Sequence, residues 1–404
     1  MATKNRPQEG SFEDDRILSG TSMKVVNIIP TYNEKENIQL MLEVLGKIAQ
    51  KNPQYEFETL VVDDDSPDGT SQIVKDFKKE DASVHLITGP KKGLGYALIR
   101  GYQYAMKEMK ADVIIPNDCD FSFNPQRIPD LLKKINEGYD VVVASRHVGR
   151  GGTEGWSAFR KLNHWISNVL FATYVAGIKE VKDHNGNFKV IRVKGVLDQV
   201  PLEAMLQGEK VKGFGFQAYI LYELSKVTNK FCEVPVIFKF RTRGEGKIGP
   251  KYLKSYLRDI FEYIKLSVLV RLDRSAQFIK FAIVGTIGFL VNALGLEIFY
   301  RLGLRPNLAA ALGAEMAIIS NFTLNNLWTF AKFKFKKIGK ILTKFLQFNL
   351  TSFGAVVIQF VVVGIGVYFF GDWVRQIFLI ISVLFFIVPY NYLMYTRFIW
   401  RTKK

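Results

Sequence analysis

Two carboxylates, Asp118 and Asp120, stand one residue apart in VIIPNDCDFSFNP, residues 113–125, where an apolar run of strand length ends. Two acids leaving an extended strand can share one divalent cation, and hard oxygen ligands suit Mg²⁺ or Mn²⁺, which keep waters and bind substrate phosphates. A lone Asp-x-Asp is equally a solvated turn. Its weight comes from a second acid-rich strand end, VVDDDSPDGT, residues 61–70, because carboxylates at the carboxyl ends of parallel strands face the crevice in which open α/β sheets bind ligands. His147, His164 and His184 lie on polar, loop-like stretches without metal-ligand spacing and read as ordinary polar residues. After Gly93-Leu94-Gly95 the next glycine is Gly101, which breaks the dinucleotide fingerprint and argues against a Rossmann oxidoreductase.

The elements that must position these acids are legible. From Lys24 to about Arg243, β-branched runs (KVVNIIP, FETLVVDDD, ASVHLITG, DVIIPND, DVVVASR) alternate with segments of helical spacing such as NIQLMLEVLGKIAQKN and PDLLKKINEG. This alternation predicts a mostly parallel α/β sheet. Residues 1–22 are polar and aperiodic, without the apolar stretch of a signal peptide, and read as a disordered leader. Two cysteines, Cys119 and Cys232, give neither a disulfide framework nor a zinc or iron–sulfur ligand set, which suits a reducing compartment.

After Arg274 charge nearly vanishes from four segments, about 277–299, 307–330, 345–371 and 374–396. Residues 345–371 are 27 consecutive uncharged positions and 376–396 are 21, enough to cross the roughly 30 Å hydrocarbon core at about 1.5 Å per residue. Glu297 and Glu315 interrupt the first two. FIKFAIVG from Phe278 resembles FLQFNLTS from Phe345, as a duplicated helical hairpin would. The chain thus divides into the leader 1–22, a sheet domain 23–247, an amphipathic linker 248–274 and an all-α four-helix membrane domain 275–404.

Lysine and arginine set the topology: residues 247–274, 331–344 and the tail from Arg397 hold seventeen, against three in the connections 300–306 and 372–375. The positive-inside rule then puts the sheet domain and both termini in the cytoplasm. Much of the net charge of +17 faces the membrane, so nucleic acid is not needed as a partner. In residues 251–268, Tyr252, Leu253, Tyr256, Leu257, Ile260, Phe261 and Ile264 form one helical stripe, as in a helix lying in the headgroup plane; packing on the sheet domain is the alternative. Glu297, Glu315, Asn292, Asn321, Asn325 and Asn326 are costly in lipid and are expected to face other helices or the cytoplasmic interface, bonding between helices rather than lining a transport path.

Taken in order, IIPTYNEKENI after the first strand, VVDDDSPDGT after the second, KKGLGYALIRGY opening a helix, then NDCD and SRHVGRGG resemble the polyprenyl-phosphate glycosyltransferases typified by dolichol-phosphate mannose synthase, over residues 24 to about 250. The four spans resemble the GtrA-like membrane domain that some members carry. The resemblance implies a GT-A nucleotide-sugar fold and a cytoplasmic enzyme that moves a hexose, mannose from GDP-mannose in the typical member, onto dolichyl or another polyprenyl phosphate. It implies that Pro30, Tyr32, Glu34, Asp63, Asp65 and Cys119 line the nucleotide-sugar pocket. Lys92 would approach the diphosphate, and Asp118 and Asp120 would hold the metal. Arg146 and Arg160 match the family's lipid-phosphate arginines. Arg243 and Lys247 of FRTRGEGKI match its Arg-Gly-Glu-Ser-Lys stretch, with Gly246 in place of Ser.

Two departures bear on specificity. DHNGNFK keeps Asp183 and Phe188 of the family's Asp-Pro-Thr-Ser-Gly-Phe loop but carries Asn185, Gly186 and Asn187 inside it, and GFGFQAYILYEL keeps Gln217 but has Tyr219 where relatives often place an acid. Two other readings stay open: transfer of glucose from UDP-glucose to undecaprenyl phosphate, and a lipid-linked sugar flippase or scaffold with an inactive catalytic half. A processive polysaccharide synthase is disfavoured because no Gln-x-x-Arg-Trp occurs.

Overall fold

The computed structural model describes residues 22–207, 215–241 and 253–402; Arg243, Lys247, Tyr252 and nearly all of the expected leader lie outside them. The chain forms two compact units, Met1–Arg271 and Leu272–Lys404.

The first unit is built on a seven-stranded sheet of order β3-β2-β1-β4-β7-β5-β8. Its strands are β1 (Met23–Thr31), β2 (Tyr55–Asp63), β3 (Val84–Thr88), β4 (Val113–Pro116), β5 (Val141–Ser145), β7 (Lys189–Arg192) and β8 (Phe231–Pro235), and β6 (Gly152–Glu154) pairs separately with β9 (Ile237–Lys239). The five expected strands all form. Only β7 runs antiparallel, wedged between β4 and β5. The middle strands are apolar on both faces because both are covered: Val26, Ile28, Leu60, Val62 and Ile114 pack on one side, and Val25, Ile29, Val61, Val113 and Ile115 on the other. Helix Leu94–Lys107 sits so close to the first face that a Cβ on Gly101 would lie 2.8 Å from Ile28 and 3.0 Å from Val62.

Register then fixes the site. Thr31 pairs with Asp63 and Ile28 with Pro116, so β1, β2 and β4 end on the same edge of the sheet. The chain lays β2 and β3 on one side of β1 and β4 on the other, and such a reversal opens a ligand crevice at the carboxyl ends.

The segment expected in the headgroup plane belongs to one helix, Leu253–Arg301, together with the first expected span. Tyr263, Leu266 and Val270 are buried in the sheet domain's core, which is the packed alternative, while Phe261, Val268 and Leu269 keep an exposed apolar face.

Three helical segments among the described residues are long and apolar enough to cross a membrane: Ile260–Arg301, Ile338–Phe370 and Ile377–Ile399, with mean hydropathies of 1.9, 2.3 and 2.2. The remaining expected span forms helix Pro306–Leu324 with a π-helical turn Asn325–Thr329, but is not among those three. Of the polar residues expected to bond between helices, Asn326 does so, its Oδ1 accepting from Trp400 Nε1 at 3.2 Å and from the Phe335 amide at 2.9 Å, whereas Asn321 Oδ1 and Asn325 Oδ1 are buried without a partner among the described residues and Glu297 pairs with Arg301 of its own helix at 2.6 Å. Phe322, Phe330, Phe348, Tyr395 and Trp400 form an aromatic core around Asn326.

Candidate active site

The crevice is held together by Asp63. At the end of β2 it is fully buried, and its two oxygens accept from Thr31 Oγ1 (2.7 Å), Ser66 Oγ (2.6 Å), the Ser66 amide (2.8 Å) and Ser71 Oγ (2.7 Å). A carboxylate so saturated shapes the loops after β1 and β2. Asp64 is spent on Arg100 at 2.9 Å. Asp65 is exposed and holds a left-handed backbone, φ +48°. Of the other residues expected at the pocket, Pro30 and Tyr32 are partly exposed at the mouth, and the Tyr32 ring carries Lys91 Nζ 3.3 Å from its centroid. Lys92 is exposed beside Lys91, just before helix Leu94–Lys107. Glu34 is buried and accepts from Asn37 Nδ2 at 2.8 Å.

Across the crevice, the chain leaving β4 presents Asp118 and Asp120 with Cys119 buried between them. Burial, and then the charge of Asp120, push the Asp118 carboxyl up to about 6. Asp118 Oδ1 accepts from Asn187 Nδ2 at 3.0 Å, Asn187 Oδ1 accepts from Gln217 Nε2 at 2.9 Å, and Gln217 Oε1 accepts from Lys189 Nζ. Lys189 is 0% exposed on β7, and desolvation pulls it down to about 7 against the attraction of Asp183 and Asp118. Asp120 Oδ1 accepts from the Ser122 amide at 3.0 Å, while Oδ2 pairs with Arg241 at 2.7 Å; the same guanidinium nitrogen lies 4.0 Å from Glu34. The acid pair fits a hard divalent cation. Its mutual repulsion is what a cation would relieve, and Asp118 Oδ2 has no hydrogen-bond donor among the described residues.

The two expected phosphate arginines part company. Arg146, at the end of β5, is buried and donates from Nε (2.7 Å), Nη2 (2.6 Å) and its amide (2.9 Å) to Asp183, so the pair is internally neutral and Arg146 is not the free clamp expected of it. Arg146 also holds the Asp183 carboxyl well below the usual range, although burial opposes this. Arg160, on helix Ala158–Trp165, has no carboxylate partner among the described residues. Its guanidinium lies over Trp156 at 4.3 Å and near Phe240 at 5.3 Å. Burial and then the charge of Arg146 lower its pKa, and Asp120 opposes the shift.

The histidines are more organised than their spacing suggested. His147 Nε2 and His164 Nε2 lie 2.9 Å apart with stacked rings, and with Asp183 they bring three possible ligand atoms within 4.8 Å of one another. Electrostatics opposes a cation there: Asp183 is committed to Arg146, whose own positive charge acts on the pair, while burial followed by Arg146 pushes His164 down to about 3 and leaves it neutral. His184 is a core residue, bonded to Asn168 and the Ile178 carbonyl.

The loop that departs from the family pattern is the hub of the site. Asp183 takes Arg146, Asn185 binds Ser167 at 2.9 Å and accepts from Tyr263 Oη at 3.0 Å, and Asn187 takes Asp118. Sequence reasoning passed over Arg241, two residues before the Arg243 it singled out, and over Asn187 and Lys189 as partners of Asp118. Only their place in motif-bearing segments signalled them.

Residues 27–196 match the Glycosyl transferase family 2 model and residues 280–400 the GtrA/DPMS transmembrane domain. Dolichol-phosphate mannosyltransferase of Pyrococcus furiosus is 32% identical over 84% of this chain and 90% of its own length. The chain belongs to the polyprenyl-phosphate glycosyltransferase family typified by dolichol-phosphate mannose synthase. Undecaprenyl-phosphate mannosyltransferase of Micrococcus luteus is 34% identical over 56% of this chain and 88% of its own, and polyprenol monophosphomannose synthase of Mycolicibacterium smegmatis is 27% identical over 69% and 100%. The protein is therefore a membrane glycosyltransferase, with a GT-A sheet domain followed by the family's transmembrane domain.

Proposed function

We propose that the protein transfers mannose from GDP-mannose to a polyprenyl phosphate of the dolichyl class, in one inverting displacement at the cytoplasmic membrane surface. The observation that carries this is the opposition in one domain of an acid pair, Asp118 and Asp120, suited to a metal-bound diphosphate, and a half-buried Arg160 without a counter-ion among the described residues, suited to an incoming phosphate. All three relatives bear mannose-transferring names and polyprenyl carriers.

The nucleotide sugar enters over the loops that Asp63 holds closed, with Tyr32, Glu34 and Lys92 at its mouth. Asp118 and Asp120 would hold Mg²⁺ or Mn²⁺, whose charge when bound would neutralise the leaving diphosphate. The acceptor needs no general base, because the second pKa of a phosphomonoester is about 6 and its oxygen is already ionised at neutral pH. That oxygen forms a bond to the anomeric carbon as the bond to the diphosphate breaks, its electron pair leaves with GDP, and the configuration inverts. Arg160 aims the acceptor with two parallel N–H groups, a geometry a lysine cannot supply. Arg146, fixed by Asp183, supports the aromatic wall formed by Phe123, Trp156 and Phe238, each 5.4–5.6 Å from its guanidinium. The Micrococcus relative keeps undecaprenyl phosphate open as the carrier. Membranes holding the protein, given labelled GDP-mannose or UDP-glucose with each carrier, decide both donor and acceptor; label passing into lipid from UDP-glucose alone would overturn the mannose assignment.

A further inference from the structure

Within the membrane unit, a groove of about 500 Å³ is lined by Lys340, Lys344, Arg401 and Thr343 and walled by Phe335 and Trp400. It forms where the first turns of helix Ile338–Phe370 meet the residues that follow the last π-helical turn, Tyr395–Ile399. Lys340 and Lys344 share one helix face by their four-residue spacing. Lys344 Nζ donates to the Phe398 carbonyl at 3.0 Å and to Gln347 Oε1 at 2.8 Å, so its position is fixed while one N–H is left over. The wall is fixed too: Trp400 stacks on Phe330 at 4.5 Å and Phe335 at 5.9 Å, with its indole N–H held by Asn326.

None of the three cations has a carboxylate partner among the described residues, and the sequence gives the reason: residues 331–344 and 397–404 contain no Asp or Glu. Gathering three cations around a fixed aromatic wall is unfavourable unless an anion joins them.

We propose that this groove is a second binding site for the acceptor class, holding the phosphate headgroup of a polyprenyl phosphate in the membrane unit. A phosphomonoester carries about −1.5 to −2 charge at neutral pH, twice that of a phospholipid diester, and so matches three uncompensated cations better. The assignment rests on the acceptor class proposed above.

The test counts bound lipid on the intact chain, without turnover. Protein in phosphatidylcholine nanodiscs is titrated with geranylgeranyl phosphate and the copies retained are read by native mass spectrometry. Wild type should retain two copies. Lys340→Gln, whose side chain makes no hydrogen bond among the described residues, should weaken one of them about fivefold, and the triple change Lys340→Gln, Lys344→Gln, Arg401→Gln on the order of 100-fold. Arg160→Ala should lose the other copy. Phosphatidylglycerol and inorganic phosphate in tenfold excess should displace neither. If Lys340→Gln and the triple variant bind both copies as wild type does, or if phosphatidylglycerol or inorganic phosphate empties the groove, the proposal is overturned while the transfer site stands. If Arg160→Ala retains both copies, the acceptor assignment in the transfer site fails and the groove stands.

Discussion

Asn187 Nδ2 donates to Asp118 Oδ1 at 3.0 Å, and through Gln217 it ties the proposed metal carboxylate to the buried Lys189. A carboxylate held this way presents its other oxygen in one direction. Replacing Asn187 by Leu keeps the volume and removes both bonds, leaving buried partners unsatisfied at a cost of about 1–3 kcal/mol. The expected result is a 10- to 100-fold rise in the Mn²⁺ concentration needed for half-maximal activity, with less change in turnover at saturating metal. An unchanged metal titration would mean that Asp118 needs no such support.

Asp118→Ala and Asp120→Ala should each abolish transfer while the sheet domain still folds, since both residues lie beyond β4 and outside its core. Excess chelator on the wild type should do the same, and added Mg²⁺ or Mn²⁺ should reverse it. Full activity in chelator would remove the metal from the account.

Arg146 and Arg160 should fail differently. Asp183→Asn strips the buried Arg146 of its counter-charge and should destabilise the sheet domain by about 3–5 kcal/mol. Arg160→Lys should leave the melting temperature unchanged and lower acceptor use 10- to 100-fold, because charge is kept while the two-pronged aim is lost. Calorimetric titration of nucleotide binding separates the two: if Arg160→Lys weakens donor binding in step with turnover, Arg160 belongs to the donor side.

His164 makes a pH prediction. The unfolded chain takes up its proton near pH 6.5, whereas burial and Arg146 delay protonation in the folded protein to about pH 3. Stability from this group is therefore complete above about pH 6.5 and falls as pH drops toward 3, by at most about 1.4 kcal/mol per pH unit. His164→Gln should flatten the fall in melting temperature between pH 6.5 and 4.5. Parallel curves for the two proteins would show that another group governs that interval.

The sheet was legible because β1 to β5 are continuous β-branched runs and their acids fall at strand ends; β7, four residues inside a loop-like context, carried no such signal. The positions of Asp118 and Asp120 followed from residue type and spacing. Their partners did not, since Asn187 reaches Asp118 across 69 residues of sequence and Gln217 reaches Asn187 across 30, and only the fold brings the three together. Arg146 misled for the same reason: Asp183, its counter-ion, is 37 positions away and enters only through the fold. The helix at 253–271 carries apolar residues on two faces, and a single-stripe reading could not say which one packs.

The central claim is that a polyprenyl phosphate attacks GDP-mannose directly. It is tested by incubating the purified chain in lipid with labelled GDP-mannose, dolichyl phosphate and Mn²⁺, extracting with organic solvent, and determining the anomeric configuration of the product. The account predicts an acid-labile mannosyl lipid phosphate of β configuration, formed from the α-linked donor without a covalent sugar–protein intermediate. Retention of the α configuration, or label trapped on the protein, would contradict it.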